Sequence, residues 1–353
     1  MSDNPPPPVV RVAIYGASGY TGLELLRLLA RHPGVEVTTL VTRQTDAPHI
    51  SSVHPQLTGQ YDLQLEQLTT EEVADRADCV FACLPHGASA EVVSQVLDLG
   101  KARGLKAIDL SADYRLTDRS VYESWYKVEH PDPDRIGTAA YGLPELYRSR
   151  ILEATLVANP GCYPTSAILA LAPLLKAELI ERSGIIIDSK SGVTGAGRNP
   201  KPNLHFPECN ENFSAYALGS HRHMPEIDQV LGEQVLGEAA GDALEVLFTP
   251  HLVPMDRGIL STCYATPTKT ASESNLRETL REFYADEPFV QVVDTPPGAK
   301  QVAGTNQCHL AVCVARGKVI VVSAIDNLLK GAAGAAVQNF NLMHGFEETT
   351  ALV

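Results

Sequence analysis

Residues 9–15 (VVRVAIY) form an apolar run that passes straight into Gly16-Ala-Ser-Gly19-Tyr-Thr-Gly22 and then into a leucine-rich segment reaching Arg31. An apolar run bounded by a glycine turn and followed by a helical pattern reads as a central parallel strand, because such a strand is buried on both faces. A parallel strand needs a long crossover before its neighbour, so the chain is bound from its first element to alternate strands with helices. Glycines at this turn bring the backbone close to a pyrophosphate, and the helix start presents N–H groups to it. The spacing is GxxGxxG, and its position between a first strand and a first helix makes it a nucleotide-binding signal.

Further strands are expected at 35–42, 79–84, 106–110 and 154–158, which completes a doubly wound parallel sheet. Where an NAD site carries an acidic residue about 20 positions past the glycines for the ribose 2′-hydroxyl, this chain has Thr42-Arg43. Arg43 suits a 2′-phosphate, so NADP is the expected cofactor; the plainer reading is a solvated surface arginine.

A second constraint is Asn159-Pro160-Gly161-Cys162-Tyr163-Pro164-Thr165, between the strand 154–158 and an apolar helix expected at 165–175. Pro164 fits a first helical position, which places Cys162 at the strand-to-helix corner, near free amides and the positive end of a helix dipole. That setting lowers a thiol pKa and makes a nucleophile. A cysteine there also reads as a small buried hydrophobe.

Beyond Cys162 the pattern changes to strand-like segments at 185–189, 245–249, 259–265, 291–293, 309–314 and 319–324, which predict a mixed or antiparallel sheet. The expected organisation is therefore a floppy tail at 1–8, a Rossmann-type domain at 9–160, a second α/β domain at 161–325, and a closing segment at 326–353. Within that segment a helix is expected over 327–342, capped by Asp326 or Asn327, with Gly331, Ala332, Gly334 and Ala335 as a small-residue surface.

Composition narrows the partners. A net charge of −14 without a Lys/Arg cluster argues against nucleic acid, and no apolar run is long enough to span a membrane. The expected partners are a small molecule and copies of the same chain, in the cytoplasm, with no secretory leader before the first strand. Seven scattered cysteines, at 79, 83, 162, 209, 263, 308 and 313, predict reduced thiols. In so acidic a chain the stretch 189–207 carries Lys190, Arg198 and Lys201 and no acidic residue, which marks a candidate anion site or a solvated loop. His221-Arg222-His223 places two rings on one side of an extended backbone. No third ligand stands at a suitable spacing, so no metal is expected. One histidine as acid/base for Cys162 is the alternative to two structural histidines, with His221 the first choice.

These motifs, with Tyr141-Gly-Leu-Pro-Glu145, Ser191-Gly-Val-Thr-Gly-Ala-Gly-Arg198, His221-Arg-His223-Met-Pro-Glu226 and Asp326-Asn-Leu-Leu-Lys330-Gly-Ala, resemble the N-acetyl-γ-glutamyl-phosphate reductase family of arginine biosynthesis, in order and over nearly the whole chain. The resemblance implies a fold like that of aspartate-semialdehyde dehydrogenase, with the last helix returning to the cofactor domain, and a homodimer or homotetramer. It implies that Cys162 attacks an acyl phosphate, that a thioacyl enzyme forms, and that NADPH reduces it. It further implies catalytic roles for Cys162, His221, His223 and Asn159. Cofactor contacts would come from Gly16, Ser18, Gly19, Tyr20, Thr21, Gly22, Thr42 and Arg43, with Ser191, Gly192 and Asn327 toward the nicotinamide. Arg115 and Arg198 would meet the substrate phosphate and carboxylate, anions that suit a guanidinium fork.

Other readings are a reductase of carrier-protein-linked aminoadipyl phosphate in lysine biosynthesis, aspartate-semialdehyde dehydrogenase itself, and a non-catalytic NADP-binding sensor. An acidic carrier protein would be repelled by this chain. A sensor would have no need for Cys162, His221 and His223 together.

Overall fold

The computed structural model describes residues 9–43, 45–236 and 244–353, so the tail expected at 1–8 lies outside the described residues. The chain divides into two compact units. The first holds the described residues up to Glu123, together with Val128–Asn159 and Ala336–Val353; the second holds Ser124–Lys127 and Pro160–Ala335.

The first unit is built on β1 (Val10–Tyr15), β2 (Val35–Val41), β3 (Leu65–Glu66), β4 (Cys79–Ala82), β5 (Lys106–Asp109), β6 (Ala140–Tyr141) and β7 (Leu156–Ala158). They form one sheet in the order β3-β2-β1-β4-β5-β7-β6. Every pairing is parallel. The short β3 and β6 carry two residues each, too few for a periodicity to register in the sequence. β4 and β7 are buried throughout, as a strand covered on both faces must be. Helices Tyr20–Leu29 and Ala88–Gly100 supply two of the crossovers.

The second unit is a mixed sheet of β8 (Ile186–Gly192), β9 (Ser214–Ala215), β10 (Leu247–Val253), β11 (Ile259–Ala265), β12 (Val290–Val292), β13 (Cys308–Ala315) and β14 (Lys318–Ile325), in the order β12-β13-β14-β11-β8-β10-β9. Burial along β11 alternates strictly, the mark of a sheet with one packed face. Against that face lies helix Cys162–Lys176, buried at every position from Tyr163 to Leu175, so an apolar pattern all round is what it requires. A row of serines fastens it. Ser166 Oγ lies within hydrogen-bond distance of Ser261 Oγ, at 2.9 Å, and of Ser323 Oγ, at 3.0 Å, and Ser189 Oγ lies 2.7 Å from Ser261 Oγ. Ser189, Ser261 and Ser323 are register partners on β8, β11 and β14, so buried hydrogen bonds tie the helix to β11 and β14, and through Ser261 to β8.

Two boundaries differ from the sequence reading. The Cys162 helix begins at Cys162 itself, with Gly161 as cap, which makes Pro164 its third residue. A proline is harmless there for the same reason as at the first position, since no amide of the first turn has a carbonyl partner within the helix. The closing helix is Gly334–His344, preceded by a wider π-helical turn, Leu329–Ala333. Asp326 takes the capping role, accepting the Leu328 and Leu329 amides at 2.8 and 3.1 Å. Among the described residues no helix is long and apolar enough to cross a membrane, and none of the seven cysteines is in a disulfide.

Candidate active site

In the first unit the glycine turn is shaped by one position above all. Gly16 sits at φ +76°, and a Cβ there would run into the carbonyl of Cys83. Only glycine meets both demands. The Gly19 amide donates to Gly16 O at 3.2 Å, closing the turn, and buried His54 donates from Nε2 to Ala17 O at 2.9 Å, holding it from outside. Gly19 caps helix Tyr20–Leu29 with extended backbone and no side-chain hydrogen bond, which keeps the helix start clear for an anion. Tyr20, Thr21 and Gly22 form its first turn, where Gly22 packs on Ala17.

A cleft of about 620 Å³ opens at the carboxyl ends of β1 and β2. Four expected cofactor residues, Gly16, Ser18, Thr42 and Arg43, line it. Tyr15, Val41, Leu68, Leu84 and Val92 give it apolar walls, and Thr69, Thr70, Glu71, Glu91 and Gln95 add polar groups that the sequence reading did not assign. One of these carried a readable signal: Thr69 and Glu72 make the reciprocal capping box of helix Thr70–Arg76. The cleft suits a nucleotide, because the glycine turn and the helix start at Gly19 carry no side-chain cap and a cation, Arg43, stands at the end of β2.

Arg115 is held by backbone carbonyls. It is 8% exposed, and its Nε donates to Asn159 O at 2.7 Å and its Nη2 to Leu110 O at 2.9 Å. The guanidinium fastens the end of β7. Asn159 is almost fully buried and held by two further hydrogen bonds: its amide donates to Asp109 O at 2.8 Å, and Asn339 Nδ2 donates to its Oδ1 at 3.1 Å. Beneath this loop Asp109 accepts from Ser89 Oγ, Ser111 N and Ser111 Oγ. Burial, then the neighbouring Asp113, pushes its carboxyl up to about 6.

In the second unit Cys162 is the first residue of its helix, partly accessible, with Gly161 before it. The Gly161 amide donates to Glu226 Oε1 at 2.8 Å. Gly331, from the π-helical turn, lies against the sulfur-bearing residue: a Cβ at 331 would stand 2.8 Å from Cys162 Cβ. The small-residue surface read from the sequence has this reason. Gly334 likewise leaves room for Asn306.

His221 and His223 are brought together, ring centroids 4.8 Å apart, by a turn and not by extended backbone. Their rings lie 5.6 and 6.0 Å from that of Tyr163, the residue after Cys162. Tyr216 joins the cluster, donating to Tyr163 Oη at 3.0 Å, and Phe248 closes it at 5.3 Å from His221. Burial, with a smaller contribution from Arg222, pushes the His221 imidazole down to about 4. Its Nδ1 accepts the His223 amide at 3.1 Å, so the ring proton sits on Nε2.

The loop after β8 is laced to a hairpin. Gly192 N donates to Gly258 O, Val193 N to Met255 O and Thr194 N to Asp256 O. Asn327, 2% exposed, bridges the two, with Oδ1 accepting Gly258 N at 2.7 Å and Nδ2 donating to Thr194 Oγ1 at 3.1 Å. Ser191 is buried and donates to Gly192 O at 3.0 Å. Ser191, Gly192 and Asn327, expected as cofactor contacts, thus have partners within the second unit. Arg198 follows this loop and is exposed. Lys190 pairs with Asp188 at 2.8 Å, and Arg198 and Lys201 are exposed on the expected anion loop. Among the described residues no group of three or more His, Cys, Asp or Glu could hold a metal.

A family model described as the semialdehyde dehydrogenase NAD binding domain matches residues 11–154, and one described as the semialdehyde dehydrogenase dimerisation domain matches residues 162–327. The chain is 49% identical to an N-acetyl-gamma-glutamyl-phosphate reductase of Rhodopirellula baltica, over 98% of both chains. It is 52% identical to the proteins of the same name from Desulforudis audaxviator and Geobacter metallireducens, again over 98% of each. Among solved structures, aspartate semialdehyde dehydrogenase II of Vibrio cholerae complexed with ASA superposes with a TM-score of 0.70 at 16% identity, covering 95% of this chain and 98% of that one. Aspartate semialdehyde dehydrogenase with NADP from Candida albicans gives 0.63 at 15%, with the same coverage. At such identities these two likenesses concern the fold.

Proposed function

The chain belongs to the N-acetyl-gamma-glutamyl-phosphate reductase family, and from that premise we propose that it reduces N-acetyl-L-glutamyl 5-phosphate to N-acetyl-L-glutamate 5-semialdehyde in arginine biosynthesis, with NADPH as donor, in the cytoplasm. The observation that carries the reading is Cys162 as first residue of a buried helix whose amino end meets the sulfur-bearing residue. A thiolate there is favoured by the helix dipole.

Cys162 sulfur attacks the acyl carbon, the carbon–oxygen bond to phosphate breaks, and inorganic phosphate leaves a thioester on the protein. When bound, NADPH supplies a hydride to that carbonyl carbon. The thiohemiacetal then collapses, releasing the aldehyde and the sulfur. Backbone amides of the helix start stabilise the oxyanion of each tetrahedral stage. A group must also carry the proton that the thiohemiacetal oxygen takes up and gives back. His221, pushed down to about 4, is neutral around neutrality and acts as a fixed Nε2–H donor. In this reading His221 orients the substrate, and His223, its ring 4.8 Å away, carries the proton.

Arg43 fits a 2′-phosphate and supports NADPH over NADH. Arg198, exposed on its loop beside Lys201, suits the anionic substrate. Self-association as a dimer or tetramer belongs to the same reading, supported by the match of 162–327 to a dimerisation-domain model. The test is phosphate-dependent reduction of NADP by purified protein given N-acetylglutamate semialdehyde, beside the unacetylated and aminoadipate analogues. Activity confined to the acetylated substrate is the expected result. A preference for an aminoadipate substrate would move the chain to lysine biosynthesis, and no activity with any of them would leave a nucleotide-binding sensor.

A further inference from the structure

Helix Ala88–Gly100 gives the cleft at the ends of β1 and β2 three of its lining residues, Glu91, Val92 and Gln95. Glu91 and Gln95, four residues apart, share one face of the helix. Thr70, the first residue of helix Thr70–Arg76, lines the same cleft, and its hydroxyl donates to Gln95 Oε1 at 3.1 Å. That bond ties two helices together and fixes which way the carboxamide faces. Gln95 is exposed, and among the described residues its Nε2 meets no acceptor. Oε1, an sp² oxygen, keeps a second lone pair.

The other residues of the cleft decide which part of a dinucleotide this carboxamide meets. The turn at Gly16 and the start of helix Tyr20–Leu29 suit the pyrophosphate, and Arg43 suits the 2′-phosphate. The base on the ribose that bears the 2′-phosphate is adenine. For that base the cleft still offers the apolar side chains of Leu68, Leu84 and Val92 and the polar groups around Gln95. A bound ring needs both, apolar surface for its faces and a few placed polar groups for its edge. Adenine shows an amine that donates beside a ring nitrogen that accepts, and a glutamine carboxamide matches the pair with one acceptor and one donor. The carboxylates of Glu71 and Glu91, which also line the cleft, only accept, so neither serves the ring nitrogen.

We propose that Gln95 reads the adenine base of the dinucleotide: its Oε1 accepts from the exocyclic amine, its Nε2 donates to a ring nitrogen, and Thr70 is the positioning residue that keeps the carboxamide from turning over. This role rests on the cleft being the NADPH site. It adds a second selection to that of Arg43, which meets the phosphate and is indifferent to the base. Hypoxanthine carries a carbonyl oxygen where adenine carries the amine, and so sets oxygen against Gln95 Oε1. Flipping the carboxamide to suit it would give up the hydrogen bond that Thr70 donates.

The test is fluorescence titration of the full chain with NADPH and with reduced nicotinamide hypoxanthine dinucleotide phosphate, two ligands that differ only in the base. Wild type should bind NADPH about 10- to 100-fold more tightly, the discrimination expected of a bidentate pair. Gln95→Ala, a change at an exposed position, should weaken NADPH by about that factor and leave the hypoxanthine ligand nearly unchanged, erasing the preference. Thr70→Val should keep NADPH close to wild type and narrow the preference, because the freed carboxamide can turn to suit hypoxanthine. Equal affinity of wild type for the two ligands would overturn the proposal, and so would an undiminished preference in Gln95→Ala or an equal loss of both ligands there. An unchanged preference in Thr70→Val would overturn the positioning role of Thr70. Arg43→Ala separates the two levels of the account, since both ligands carry the 2′-phosphate and should be weakened alike. Wild type that binds neither ligand, or an Arg43→Ala variant that weakens neither, would overturn the assignment of the cleft to NADPH itself.

Discussion

Gly331 and Cys162 are in direct contact, so closely that a methyl group on Gly331 would lie 2.8 Å from Cys162 Cβ and 3.2 Å from its Cα. The π-helical turn Leu329–Ala333 brings glycine to this point, and such wider turns are frequent at functional sites. Gly331→Ala must displace either that turn or the first residue of the Cys162 helix, a strain of roughly 1–3 kcal/mol. The expected outcome is a clear loss of kcat with NADPH binding unchanged, checked by steady-state kinetics and fluorescence titration. Wild-type kcat would mean that the contact does not set the position of the sulfur.

The nucleotide cleft gives a second expectation. Arg43 lines it at the end of β2, where an acidic residue would serve NAD. Arg43→Ala should weaken NADPH by roughly 1.5–3 kcal/mol, the scale of a lost charge-assisted hydrogen bond, and leave NADH nearly untouched. Equal losses with both nucleotides, measured by titration, would place the 2′-phosphate elsewhere.

The glycine turn, the parallel sheet and the helix after Gly161 were legible because each rests on local chemistry: an apolar run, a turn residue, a cap. The short strands β3, β6 and β9 were not, since two residues carry no period. Arg115 and Asn327 show the same limit at the site. Their residue types suggest ligands, and what no local pattern carries is that Arg115 also holds backbone carbonyls and that Asn327 also joins two loops. Glu226 could be quoted from a motif, yet its partner Gly161 lies 65 residues away, a distance that no periodicity spans.

The two arginines should therefore separate. Arg198→Ala should raise the KM for phosphate or semialdehyde in the reverse assay by roughly 10- to 100-fold with little change in stability. Arg115→Ala removes a buried donor from Asn159 O and Leu110 O, so its first effect should be a lower melting temperature. A KM effect from Arg115→Ala without destabilisation would return that residue to the substrate.

The two histidines should separate by mutation. His223→Asn should slow turnover by roughly 10²–10⁴ and flatten the pH dependence near neutrality. His221→Asn should keep the shape of that profile. Stability gives an independent check with a definite sign. His221 is held at about 4 in the folded chain, so between 6.5 and 4 the unfolded chain binds the extra proton and stability falls as the pH drops. Denaturation of wild type against His221→Asn should reveal that contribution, about 3 kcal/mol lost between pH 7 and pH 4. No pH dependence in the difference would place the ring in water.

The most direct measurement is mass spectrometry of protein mixed with the acyl phosphate in the absence of NADPH. Peptide mapping should find an N-acetylglutamyl group on Cys162, released as aldehyde when NADPH is added and absent from Cys162→Ser, which should bind NADPH normally but fail to turn over. An unmodified Cys162, together with a Cys162→Ser variant that still reduces the acyl phosphate at a comparable rate, would contradict the account and leave direct hydride transfer to the acyl phosphate as the mechanism.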